Sequence, residues 1–183
     1  MTIDFYQLSL FGLLAMLAVA IYFDIRTQRI PNWLVATGAA VALTFHGVNS
    51  GAFGLLTSVA GLFIAMAILL PFYIAGVMGA GDVKLMAAVG AFTGAHLAIL
   101  AVGLAMGVGV IEAFAILVLR GNGRQTWERY RLMGKTILTT GRIVYIPPGQ
   151  GDAAAESFPF AIAVGIGTIG ALLSTVSMET LSW

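Results

Sequence analysis

The sequence predicts an all-α polytopic membrane protein of about six transmembrane segments, and three observations carry that prediction. Of its 183 residues, 60% are hydrophobic, and the mean hydropathy is +0.98. Only 9% are charged, against about 25% in an ordinary soluble domain. Between Arg29 and Asp82, finally, His46 is the sole side chain of acidic or basic type. A chain of this length suits one integral-membrane domain over residues 1–183. The formal net charge of +1 argues against a nucleic-acid partner. Cysteine is absent, which excludes disulfides, thiolate nucleophiles and cysteine-based zinc sites.

Taken in order, the apolar runs fall at roughly 5–23, 32–46, 54–76, 82–96, 99–119 and 157–177. About 20 residues cross a bilayer, so the first, third, fifth and sixth are comfortable spans and the second and fourth are short. The N-terminus MTIDFYQ lacks a basic n-region, so the first run is expected to remain as a span and not to be cleaved as a signal peptide. Pro31 and Asn32 open the second run, proline being suited to an early helical position. The fourth run follows Gly79-Ala80-Gly81-Asp82, whose glycines suit a tight loop, with Asp82 expected as its N-cap. Gly121 to Gly151 is polar, and TWERYRLMGKTIL within it mixes cations with Trp127, Tyr130 and Leu132; an interfacial helix and cytoplasmic loop over about 120–156 is expected. IPPGQGD at 146–152 reads as a turn-rich linker. Small-xxx-small spacings at Gly90/Gly94 and Gly103/Gly107 suggest close helix packing.

The cations orient these segments. Arg26 and Arg29 follow the first run, Lys84 follows the third, and Arg120, Arg124, Arg129, Arg131, Lys135 and Arg142 follow the fifth. With six segments all of them fall on one side, which the positive-inside rule makes the cytoplasm. Both termini are then expected on the other side. The 35 residues from Leu85 to Leu119 must leave and regain the cytoplasmic face, although two full spans need about 40 plus a turn. The fourth segment is therefore short, and its start is expected slightly below the membrane surface, where irregular backbone needs protein or water around it.

On this topology Asp24 and Asp82 both lie on the cytoplasmic side. A charged carboxylate driven to the bilayer centre costs about 2.5–3.5 kcal/mol on insertion scales, so each calls for a reason. Two carboxylates in contact share a proton, and such a pair can activate water with one member while the other protonates a scissile carbonyl. That chemistry needs no metal, cofactor or nucleophilic side chain, and none is expected here. The same residues also suit plain helix capping, with Asp24 beside Arg26.

The blocks around the two aspartates carry a family resemblance. GAGDVKLM resembles the GxGD motif of the type IV prepilin peptidases, membrane aspartic proteases, and FDIRTQRIPN resembles the other aspartate block of that family. Their order, their separation and their placement after the first and third segments agree with it; FPFAIAVGIG (158–167) is more weakly similar to the family's final segment. The resemblance implies that Asp24 and Asp82 are the catalytic pair, that Gly79 and Gly81 shape the loop presenting Asp82, and that Lys84 anchors the following helix at the interface or biases the pair. It implies prepilin or pseudopilin precursors as substrates and a bacterial cytoplasmic membrane as location. Longer members carry a cysteine-rich insert after the first span and also methylate the trimmed product. Only seven residues separate Asp24 from Asn32 here, so the chain is similar to the short, peptidase-only branch associated with tight-adherence pili, and methyl transfer is not expected.

Other acids are weighed against this pair. Gly149-Gln150-Gly151-Asp152 also matches GxGD, but it follows two prolines in the polar linker and reads as loop. Glu112 lies in the fifth segment, about 12 Å in from Arg120, and reads as a packing residue. His46 and His96 make no metal site by themselves, and HExxH and GxS motifs are absent. A proton-coupled small transporter using Asp24, Asp82 and Glu112 is the alternative of a different class; a related aspartic protease for archaeal-type preflagellins or for membrane helices in general is another.

Overall fold

A computed structural model of the chain describes residues 5–120, 123–140 and 159–181. These form five helices: α1 (Phe5–Thr27), α2 (Asn32–Ile74), α3 (Ala80–Arg120), α4 (Gly123–Thr140) and α5 (Phe160–Leu181). No strand occurs among the described residues. Stretches of α1, α2 and α3 (Gln7–Thr27, Asn32–Ile74 and Ala80–Ala115) are long and apolar enough to cross a membrane, and Phe160–Ser174 is a shorter apolar stretch. Large apolar side chains such as Phe11, Phe53, Phe63 and Phe114 project outward, as expected where lipid replaces water as solvent. The protein is a helical membrane protein.

The expected second and third segments run together as α2, and the fourth and fifth as α3, because the helices bend without fully losing their ladders. Each bend sits on a glycine that leaves helical geometry: Gly51 at φ 60, ψ −143 and Gly94 at φ 76, ψ 173. Positive φ is open to glycine at little cost and strained for other residues. At Gly51 the chain folds back on itself. Leu55 packs against Gly47, and Gly54 lies against the His46 carbonyl, whereas eight residues of straight helix would separate such pairs by about 12 Å. At Gly94 the reversal follows from more distant contacts. Asp82 lies near Asp24, Asp24 bonds the Ala161 amide, and the neighbouring Phe160 ring lies against Gly109. A straight helix would carry Gly109 about 40 Å from Asp82.

Bending frees carbonyls from the helical ladder, and in a membrane these need donors. His46 Nε2 bonds the Phe92 carbonyl at 2.9 Å, and Ser58 Oγ donates to the Ala91 carbonyl at 2.7 Å. His46 thus serves the bend of α3.

The leg of α3 from Leu85 to Phe92 is buried all round, which marks it as the centre of the bundle. It meets α2 at a close approach, where any β-carbon on Gly61 or Gly90 would run into the other's backbone. The later leg packs on α5 through Ala98, Ala101, Val102 and Ala105, with Gly167 seated on Ala105. Gly103 and Gly107 have nothing within contact range. The expected Gly103/Gly107 packing is therefore corrected: those glycines lie off the buried stripe, and the close contacts use Gly61, Gly90 and Gly167. Helix α1 contributes Leu13, Met16, Leu17 and Ala20 to the core, spaced to form one face.

Candidate active site

Asp24 continues that face. It is one turn beyond Ala20, in the last turn of α1, and only 7% exposed. The helix then ends through Gln28, which takes the left-handed conformation (φ 52) while its N–H reaches the Asp24 carbonyl at 2.9 Å. This is the single-bond αL cap. It is unusual for a residue other than glycine, and it turns the chain sharply after Asp24 towards Pro31. The Asp24 side chain has a fixed partner: Oδ2 accepts the backbone N–H of Ala161 at 2.9 Å. Ala161 lies in the first turn of α5, whose unpaired amides favour a negative group. Pro159-Phe160 brings no capping side chain to that helix start, so Asp24 supplies the cap from another helix.

Asp82 sits in the first turn of α3. The helix starts at Ala80, so the expectation that Asp82 is the N-cap is corrected; Gly79 holds the cap position, and the Gly79 carbonyl accepts from Val83 N–H at 3.4 Å. Three residues on, Asp82 reaches back to accept the Gly79 N–H, the backward half of a capping box. A β-carbon on Gly79 would come within 3.2 Å of Asp82 Oδ2, so the bare glycine gives the carboxylate its space. Gly81 serves a different neighbour: a β-carbon there would meet Ile30 at 3.4 Å, which lets the link between α1 and α2 lie on the start of α3. Lys84 donates from Nζ to Asn32 Oδ1 at 2.9 Å. It thereby ties the GAGDVKLM block to the IPN end of the other block, and its side chain is exposed.

The C-terminal end of α1, the N-terminal end of α3 and the N-terminal end of α5 thus converge. Asp24 and Asp82 stand close enough for the charge of Asp24 to act directly on Asp82. Asp24 is buried and Asp82 half-buried, and each is steadied by one backbone amide; neighbouring carboxylates of this kind can share a proton and act as base and acid on a water and a carbonyl. Among the described residues no group of three or more histidine, aspartate or glutamate side chains is placed to bind a metal. Sequence reasoning missed the Ala161 amide, since a backbone donor carries no side-chain signal; its one trace is an apolar helix start without a cap residue of its own.

Glu112 is elsewhere, on the later leg of α3 one turn beyond Gly109, with Oε2 buried and without a hydrogen-bond partner among the described residues. The second GxGD sequence, residues 149–152, and Arg142 lie outside the described residues.

Searches of curated proteins and of solved structures give no significant match. A model of the type IV leader peptidase family matches residues 11–115, more than half of the chain. That stretch contains both aspartate blocks, the glycine bends and the whole of the central leg. By that match, the chain belongs to the type IV leader peptidase family, and it is a protease of the membrane.

Proposed function

We propose that the protein is an aspartic endopeptidase that removes the leader peptide of type IV pilin-like precursors, with Asp24 and Asp82 as its catalytic pair. The observation that carries this reading is the convergence of the two aspartates from helices 58 positions apart in sequence. Capping alone accounts for each residue separately and gives no reason for the two to meet.

In the proposed reaction the pair holds one proton. The ionised carboxylate takes a proton from water as the hydroxyl adds to the scissile carbonyl carbon, and the protonated carboxyl donates to the carbonyl oxygen. Collapse of the tetrahedral species breaks the C–N bond: the carboxyl that took the water proton passes it to the departing amine, and the hydroxyl proton returns to the other carboxylate, so the pair again holds one proton. Which aspartate begins as the base is a property of the coupled pair, not of either residue. The Ala161 amide keeps Asp24 oriented through the cycle, and the Gly79 amide does the same for Asp82.

Counting α1, each leg of α2 and α3, and α5 as a crossing gives six, with Arg26, Arg29, Lys84 and the aspartates at one face. The positive-inside rule makes that face cytoplasmic and leaves both termini on the other side, in a bacterial inner membrane. A prepilin would bring its hydrophobic helix laterally against the bundle while its junction reaches the aspartates. Methyl transfer is not part of the proposal. Co-expression with a pilin-like precursor tests it: a mobility shift of the precursor, with a new N-terminus at the leader junction, is expected. A precursor left intact, together with proton-coupled solute uptake in vesicles, would replace the peptidase reading by the transporter one.

A further inference from the structure

Helix α4 differs in kind from the apolar helices. Its 18 residues carry four basic side chains, Arg124, Arg129, Arg131 and Lys135, against a single acid, Glu128. At 3.6 residues per turn, Trp127, Gly134 and Leu138 fall on one stripe of the helix, with Met133 and Ile137 on the next. Arg131 and Lys135 fall along one border of this apolar arc; Thr139 falls on the opposite side. The arc is open at Trp127, 70% exposed, and at Leu138, 87%, and half-buried at Met133 and Gly134. Helix α4 packs against α3 and no other described helix. Only two residues separate its start from Arg120, the end of α3, so it begins where a membrane-spanning helix leaves the bilayer.

We propose that α4 lies in the plane of the membrane surface and binds anionic lipid headgroups through Arg131 and Lys135. Trp127, Met133, Ile137 and Leu138 enter the boundary between headgroups and acyl chains. An amphipathic helix with cations bordering its apolar face is built for that boundary, and the tryptophan ring, apolar with one N–H donor, suits the headgroup level. Charge complementarity selects anionic over zwitterionic lipid. The proposal rests on the membrane insertion of α3, not on the catalytic assignment.

The absence of cysteine allows single labels on the full chain. The variants Met133→Cys and Leu138→Cys mark the apolar arc, and Thr139→Cys marks the opposite side. Each carries a nitroxide in protein reconstituted into phosphatidylcholine bilayers with or without phosphatidylglycerol. With phosphatidylglycerol, the first two labels are expected to meet oxygen and to be shielded from a water-soluble nickel chelate, and the third to show the reverse. Omitting the anionic lipid, or combining Arg131→Gln with Lys135→Gln, is expected to lower the lipid-immersed population about fivefold per charge lost, the factor matching about 1 kcal/mol per cation at an anionic surface. Equal exposure of all three labels to water would overturn the proposal. So would shielding of the apolar-arc labels from both reagents, which would mean a second copy or another protein covers the arc, or immersion indifferent to lipid charge and to the two cations.

Discussion

Replacing Gly79 by alanine puts a methyl group beside the carboxylate of Asp82, and the structure sets the size of the effect. The new β-carbon would stand 3.2 Å from Asp82 Oδ2, so that oxygen must give way by a few tenths of an ångström. Gly79 has a negative φ, outside the set of glycines that need the left-handed region, so the backbone accepts alanine without strain. Losing glycine at a helix N-cap costs about 1 kcal/mol or less, which leaves the protein folded. Catalytic geometry is less forgiving: a misplacement of ~1 Å can cost about a hundredfold, and a shift of a few tenths scales to a loss of about tenfold or less. The assay is the initial rate of precursor cleavage in vesicles containing equal amounts of each variant. Gly79→Ala is expected to lower the rate severalfold with unchanged protein level. Gly81→Ala is the control, because its β-carbon would meet Ile30 at 3.4 Å, an ordinary contact away from the aspartate. Full activity in Gly79→Ala, or a larger loss in Gly81→Ala, would refute the reasoning that ties Gly79 to Asp82.

Other positions test the scaffold. Gly61→Leu is expected to abolish accumulation of folded protein, since its side chain would enter the Gly90 backbone, whereas Gly103→Ala, facing open space, should accumulate normally; immunoblots of membrane fractions compare them. Lys84→Met and Asn32→Ala remove the two ends of one hydrogen bond, so each should lower stability by about 1 kcal/mol or less and the double variant by little more, read by thermal unfolding in detergent. Glu112→Leu removes a buried oxygen without a partner among the described residues, and burying such a group costs about 1–3 kcal/mol; the variant is expected to melt at the same or a higher temperature and to cleave precursor normally.

Much of this architecture was legible in the sequence because membrane insertion leaves few options for the backbone. The gap between the expected runs ending at 46 and beginning at 54 contains Gly51, where α2 folds back, and the gap after 96 lies just beyond Gly94. The helices were placed by hydrophobicity; the bends needed the backbone. A glycine at positive φ has no side chain to announce it, and the carbonyls released near Gly94 are satisfied by His46 and Ser58, 46 and 33 positions away from their acceptors. His46 therefore read as an isolated histidine. Asp82 was expected as the N-cap because acidic residues favour that position, yet Gly79 takes it and Asp82 completes the box from inside the helix. The two aspartates themselves were marked by their cost in an apolar chain. Their approach to one another depends on Gly51 reversing the chain between them, and the α5 amide reaches Asp24 because Gly94 turns the later leg of α3 back; local sequence encodes neither.

Conservative replacement tests directly whether Asp24 and Asp82 act as a pair. Asn keeps the size of each side chain and its ability to accept from the Ala161 or Gly79 amide, but it removes the titrating proton. Asp24→Asn, Asp82→Asn and the double variant, each present in membranes at the level of the parent protein, are expected to leave a pilin-like precursor uncleaved, with the double variant no worse than either single one. Asp152→Asn, altered in the second GxGD sequence, should cleave as the parent does. Complete processing by either single variant would contradict the pair, and loss of cleavage in Asp152→Asn would move the active site to the other motif.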